Sequence, residues 1–214
     1  MKSYRQRCGL AKALDVIGDR WSLLIVRELL IRDGCRYTDL REGLPGIATN
    51  LLADRLRELE AVGVVVREAV PPPVATTVVR LTERGRALEP VLMALGAWGA
   101  PLLAEAAPDE AMLGHWLVMP LRLRLSDRAP DEPAAVIELR AAGQPITVTA
   151  EAGAVGVRLG AAVRPNAVVS GEPGPVLALM TGSLPPEAAS DAGVRLEGDL
   201  SALARLIAPA AASG

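Results

Sequence analysis

At Gly63 the hydrophobic period of this chain changes, and that change restricts the folds open to it. Before it, residues 48–62 place Leu52, Leu56 and Leu59 at i, i+4 and i+7, the spacing of one helical face. Thr49, Asn50, Ala53, Asp54 and Arg57 are then left facing outward. After it, VVVREAV (64–70) and TVVRL (77–81) are β-branched runs around PPPVAT (71–76), which predicts a hairpin with a proline-stiffened loop. Upstream, CGLAKALDVI (8–17) sets Leu10, Leu14 and Ile17 at helical spacing. Residues 20–32 are apolar on more than one face, as a central core helix would be, and a short helix begins near Thr38 and stops before Pro45-Gly46. Gly18 is expected to close the first helix in the left-handed conformation and Asp19 to cap the second. Downstream, Thr82 is expected to cap a further helix that Pro90 breaks or restarts, followed by an apolar stripe of Val91, Leu92, Leu95 and Trp98.

Helices and then a hairpin, with a tight Pro-Gly turn between the last two helices, is the order of a winged helix-turn-helix. The rest of the 214 residues reads differently. Residues 1–100 carry a net charge of +3 and the remainder −5, and Tyr4, Trp21, Tyr37, Trp98 and Trp116 are the only aromatics. The Pro- and Ala-rich stretch 99–110 separates the halves, so we place a boundary near residue 105, giving domains 1–104 and 105–214. In the second half a helix over about 109–124, interrupted at Pro120, precedes AAVIELR (134–140), PITVTAE (145–151) and VGVRLG (155–160), a predicted antiparallel meander. A helix over PVLALM ended by Gly182, the segment VRLEG and a last helix opened by Asp199 follow. The fold class is therefore α+β: a winged helix-turn-helix domain, then an α+β domain with a mainly antiparallel sheet.

Composition excludes several functions. Two cysteines and one histidine support neither a disulfide framework nor a zinc site, so no metal or cofactor is expected. No nucleophile–base pair is visible in the second half, where His115 lacks a triad partner, and no enzyme is expected. No run of about 18 apolar residues lacks a charge, and the basic start has no continuous apolar stretch, so neither a membrane span nor a signal peptide is expected and the chain reads as cytoplasmic.

Of the outward residues before Gly63, Asn50 can bond adenine in bidentate fashion, Arg57 can reach guanine or phosphate, and Ala53 can touch a thymine methyl. Asp54 could accept from a cytosine amino group, while Thr49 supplies a hydroxyl. Arg36 and Thr38 are placed for backbone phosphates. The plainer reading of each is a solvated polar face. Arg55 and Glu58 suit a structural ion pair. Trp21 and Tyr37 read as core, Cys35 as a loop thiol and His115 as a helix-surface residue. Cys8, near Arg5, Arg7 and Lys12, is either a reactive thiolate or a small packed residue. In the second half Ile137, Leu139, Ile146 and Val148 point inward, where scarce bulky rings leave either a close-packed aliphatic core or a dry cavity for an apolar molecule.

The stretches CGLAKALDVIGDRWSLLIVRELL, YTDLREGLPGIATNLLADRLRELEAVGVV and LTERGRALEPVLMALGAWG resemble the HxlR family of bacterial transcription regulators over about residues 8–99. That resemblance implies a dimeric winged helix reading double-stranded operator DNA, related to MarR-type regulators. It also implies an optional thiol sensor, since some relatives sense oxidants or electrophiles with a cysteine near position 8. The chain departs from the family in Cys8-Gly9 where Cys-Pro is frequent, and in Ala48 where serine is frequent, which leaves capping or phosphate hydroxyls to Thr49. Its wing tip has no Lys or Arg. The tail NAVVSGEPGPVLALMTGSLPPEAASDAGVRLEGDLSALARLI is similar to the sterol carrier protein type-two superfamily, which implies an apolar tunnel for lipid-like ligands. Three readings follow. The first is a dimeric regulator sensing an apolar small molecule through its second domain. The second is a regulator switched at Cys8 whose second domain only supports dimerisation. The third is a lipid-carrier-like protein whose winged helix makes protein contacts.

Overall fold

The helical stripe ahead of Gly63 is α4, Thr49–Ala61, and its Leu52, Leu56 and Leu59 are buried. Gly63 takes a φ of +69°, which lets the chain leave the helix and enter β1, Val65–Val70. β1 pairs antiparallel with β2, Thr76–Leu81, setting Val65 opposite Leu81 and Val70 opposite Thr76. This is the wing. The computed structural model describes residues 3–71, 76–107 and 109–207, so the tip of the wing (72–75) lies outside the described residues. The chain divides into two units, Met1–Trp98 and Gly99–Gly214, the division falling a little ahead of the boundary expected near residue 105.

In the first unit α1 spans Gly9–Ile17, α2 Ser22–Arg32 and α3 Tyr37–Glu42. As its all-round apolarity requires, α2 is the central helix, with Ile25, Val26, Leu29, Leu30 and Ile31 buried. Thr82 caps α5, Glu83–Arg86, by accepting from the Gly85 N–H at 3.1 Å, and Pro90 sits in the first turn of α6, Glu89–Gly99. Four expectations are corrected. Gly18 stays right-handed at φ −75°, and the left-handed residue is Trp21 at φ +82°. Asp19 does not cap α2; its carboxylate pairs with Arg55 instead. Leu10 and Leu14 are exposed, leaving Ala11 and Ile17 to anchor α1. Cys35 is buried and its backbone pairs with Val79 of β2 at 3.0 and 2.7 Å, which extends the wing sheet inward.

The second unit is built on one sheet of order β5-β4-β3-β6-β7. Its strands are β3 Ala135–Arg140, β4 Ile146–Glu151, β5 Ala154–Leu159, β6 Ala167–Ser170 and β7 Arg195–Gly198. The predicted meander is β3-β4-β5, while β6 returns parallel to β3 and β7 pairs antiparallel with β6. The helices are α7, Val118–Arg124, α8, Pro173–Met180, and α9, Leu200–Ala204, which is capped by Asp199 as expected. The expected helix over 109–124 is shorter. Only a 3-10 turn, Gly114–Leu117, leads into α7, because Pro120 lacks an N–H and is tolerated only in a first turn. His115 lies in that turn and is buried, not on a helix surface: Gly114 packs so closely on the Ala141 and Ala142 carbonyls that a side chain there would collide with them.

Asp127 and Arg205 hold this unit together. Arg205 donates from Nε and Nη2 to the two Asp127 oxygens at 2.6 and 2.7 Å, and from Nη1 to the Pro133 carbonyl at 2.6 Å. Asp127 also accepts from the N–H groups of Ala129 and Gly153, at 3.1 and 3.0 Å, so one carboxylate ties α9 to the β4–β5 turn. The Arg205 hydrogen bonds, followed by those two amides, hold the Asp127 carboxyl well below the usual carboxylate range.

Among the described residues one helical run, Glu83–Glu105, meets the length and hydropathy of a membrane span. It is long and apolar enough by length and composition alone, because no residue between Glu89 and Glu105 is charged.

A lowered folded-state pKa means that the stabilisation from Asp127 is complete above the unfolded value of about 4 and is lost as the pH falls below it. Asp127→Asn should therefore lower the melting temperature at pH 7 by roughly 5 °C or more and flatten its fall below pH 4, measured by calorimetry of the whole chain. Parallel acid profiles for the two proteins would refute this role.

Candidate nucleic-acid interface

Two short connections aim α4. Asp39 accepts from the Arg36 N–H at 2.9 Å and so starts α3. The Tyr37 hydroxyl donates to the Thr49 carbonyl at 2.7 Å, tying the start of α3 to the start of α4. Between them Gly46 turns the chain at φ +84°. Tyr37 is thus half-buried and bonded rather than core, and Trp21 is half-buried beneath the Arg20 guanidinium, 5.8 Å from the ring centre.

Ala48 stands at the N-cap of α4 and no side chain caps that helix, so Thr49 does not supply the cap expected of it. The amides of the first turn are left pointing out of the unit, where an anion is favoured. Thr49, Asn50 and Arg57 are exposed, and Ala53 and Asp54 are half-buried beside them. Arg57 pairs with Asp54 on this face, so the two charges offset each other. Arg55 pairs with Glu58, and also with Asp19, which locks the inner edge of α4 to the turn before α2. Arg36 and Thr38 are exposed on α3. Arg41, not singled out from the sequence, is exposed too, and its position three residues after Thr38 was the available signal. Arg36 and Arg41 enter no ion pair among the described residues. The wing's arginines are committed elsewhere, Arg67 to Glu60 at 3.2 Å and Arg80 to Glu68 at 2.9 Å, as is Arg86 of α5 to Asp33 at 2.6 Å. Arg36 and Arg41 therefore leave the positive charge of α3 unneutralised by any acid among the described residues.

The remaining candidates fall in three places. Val91, Leu92, Leu95 and Trp98 lie on α6, a helix with no buried residue, and Trp98 is 75% exposed. Cys8 is exposed at the N-cap of α1, where the amides of Ala11 and Leu10, rather than the neighbouring cations, lower its thiol pKa. Burial instead pushes the Cys35 thiol up to about 12. Ile137, Leu139, Ile146 and Val148 are at most 1% exposed, and the cleft found in this unit is lined by other residues. Directly opposed pairs, Ile137 with Val148 and Leu139 with Ile146, fill the space between sheet and helices. The second unit has instead an open cleft of about 420 Å³ beside α9 and β7, lined by Leu184, Leu196, Leu200, Leu203 and Ile207, with Arg128 and Glu187 in its wall.

The family described as HxlR-like helix-turn-helix matches residues 16–107. YvaP of Bacillus subtilis, an uncharacterised HTH-type transcriptional regulator, is 37% identical over 87 residues, covering 41% of this chain and 80% of YvaP. YdeP of the same organism, also an uncharacterised HTH-type transcriptional regulator, is 40% identical over 96 residues, 43% of this chain and 71% of YdeP. Among solved structures, the reduced form of the transcriptional regulator YodB from B. subtilis is 31% identical, covering 48% of this chain and all of that one, with a TM-score of 0.40.

Asn50→Ala should weaken binding to a duplex selected by the protein from a random library by about 1–3 kcal/mol and relax base preference at one position per half-site. Arg36→Ala should weaken selected and random DNA alike and reduce the dependence on salt. Titrations of both variants at several salt concentrations check this, and equal losses on random DNA would show that α4 does not read bases.

Proposed function

The chain belongs to the HxlR-like helix-turn-helix family and is a DNA-binding transcription regulator; from that premise we propose that it works in the cytoplasm as a homodimer, reading double-stranded operator DNA with α4. The observation that carries this is the exposed face of α4. Its uncapped first turn is tied by Tyr37 to α3, whose Arg36 and Arg41 enter no ion pair among the described residues, while its apolar side is sealed into the core. Thr38 and the arginines grip phosphates, and Thr49, Asn50, Ala53, Asp54 and Arg57 face base edges. For Asp54 and Arg57 to do so, their mutual pair must open on DNA.

Dimerisation is supported by α6. An 11-residue helix carrying Val91, Leu92, Leu95 and Trp98 with nothing buried exposes more apolar surface than a monomer keeps in water. Leu10 and Leu14 add to the exposed apolar surface of the same unit. A second copy offers the same stripe and covers both by two-fold symmetry. Leu95→Asp should convert a dimer to a monomer and lower affinity for the selected duplex at least tenfold, read by sedimentation and titration. A wild type that sediments as a monomer at micromolar concentration would overturn it.

The second unit we read as the sensor of an apolar small molecule, sterol-carrier-like in plan, with the cleft beside α9 as its site. The cleft's leucine lining supports this. A second reading, with the switch at Cys8, is favoured by that thiol's exposure and lowered pKa. One experiment separates the two: affinity for the selected duplex with and without decanoate, and before and after diamide, in wild type and Cys8→Ser. A decanoate effect that survives Cys8→Ser supports the cleft; a diamide effect abolished by Cys8→Ser supports the thiol. If neither agent changes affinity, both switches are refuted.

A further inference from the structure

Glu28 is an acid in the wrong place for an ordinary helix residue. It lies on α2 among buried leucines and isoleucines, and its side chain is 0% exposed. Arg27 donates to its Oε1 from Nε at 3.1 Å and Nη2 at 2.9 Å, while Arg32 approaches Oε2 at 3.5 Å. The carboxylate also lies against backbone. Gly43, the residue that ends α3, stands so close that a Cβ there would collide with Glu28 Oε2 and Cδ. Arg27 Nη2 reaches the Gly43 carbonyl at 3.4 Å, closing a ring of Arg27, Glu28 and Gly43. Gly43 has a φ of −76°, which any residue adopts, so it is glycine's lack of volume that the site requires. The turn that follows, with Leu44 and Ile47 buried, delivers the chain to Thr49 at the start of α4.

We propose that Glu28 is a positioning residue for DNA recognition: its buried carboxylate, clamped by Arg27 and Arg32, sets the level of Gly43 and through that turn the pose of α4. This rests on the reading of α4 as the DNA-reading helix. The physical reason is packing. A turn seated on a charged group that is itself held by two guanidiniums has one favourable height, and a close-packed unit transmits a displacement there to the next helix. Base readout depends on α4 being placed within about 0.5 Å, whereas phosphate contact tolerates more, so an error of pose falls on specificity first.

The test uses the full chain, a duplex enriched by the wild type from a random-sequence library, and an unselected duplex of equal length. Glu28→Gln keeps the shape and removes the charge; Gly43→Ala keeps the charge and pushes the turn away. Each should lower affinity for the enriched duplex at least tenfold while the unselected duplex changes less than threefold. Glu28→Asp withdraws the carboxylate by one methylene and makes room for the added methyl. The Glu28→Asp, Gly43→Ala double variant should therefore recover at least threefold of the affinity that Gly43→Ala loses, a rescue that general destabilisation would not produce. The double variant decides the matter if Glu28→Gln alone fails to fold. Enriched-duplex affinities within twofold of wild type, losses equal on both duplexes, or a double variant no better than Gly43→Ala would each overturn the proposal. A wild type that enriches no sequence would overturn the DNA-reading role of α4, and this proposal with it.

Discussion

Each unit of this chain is organised around one carboxylate that water does not reach. A carboxylate without water costs several kcal/mol unless its charge and lone pairs are answered, so wherever one is kept the surrounding elements are held in the geometry that answers it. Glu28 is answered by Arg27 and Arg32 and lies against Gly43, which relates α2 to the end of α3. Asp127 is answered by Arg205 and two amides, which relates α9 to the β4–β5 turn. In both cases the aliphatic residues supply most of the driving force for burial, while the ion cluster selects one arrangement among several that would bury the same leucines.

Charge on the first unit follows the same economy. Its net charge of +3 is too small to coat a surface, and most of its arginines near the wing are paired with acids of the same unit. What distinguishes this face is an uncapped start of α4, tied by Tyr37 to a helix α3 whose Arg36 and Arg41 enter no ion pair among the described residues. Under the proposed function, partial charge on those amides and full charge on the two arginines would both favour a phosphate.

Apolar surface is distributed unevenly as well. The second unit hides most of its aliphatic residues between sheet and helices and leaves an open cleft beside α9. In the first unit α6 stands uncovered, with Leu95 48% and Trp98 75% exposed. The length and composition that would let the run Glu83–Glu105 cross a membrane are the same features that would let it pair with a copy of itself.

Elements whose signal is local were legible from the residues alone: the stripe of α4, the Thr82 and Asp199 caps, the hairpin after Gly63 and the β3-β4-β5 meander. So was the outward side of α4, because Leu52, Leu56 and Leu59 determine which side is left over. Long-range partners were not legible. Nothing near Asp19 announces Arg55, nothing near Cys35 announces Val79, and nothing near Asp127 announces Arg205. Leu10 and Ile137 show the same limit from opposite sides. A helical stripe says that a leucine has a face and not that the face is covered, and alternation says that an isoleucine points inward and not whether a space is left there. Periodicity follows from backbone geometry within a few residues and is therefore written in the sequence. Coverage, pairing and empty volume depend on groups brought together across many residues, so only the folded chain decides them.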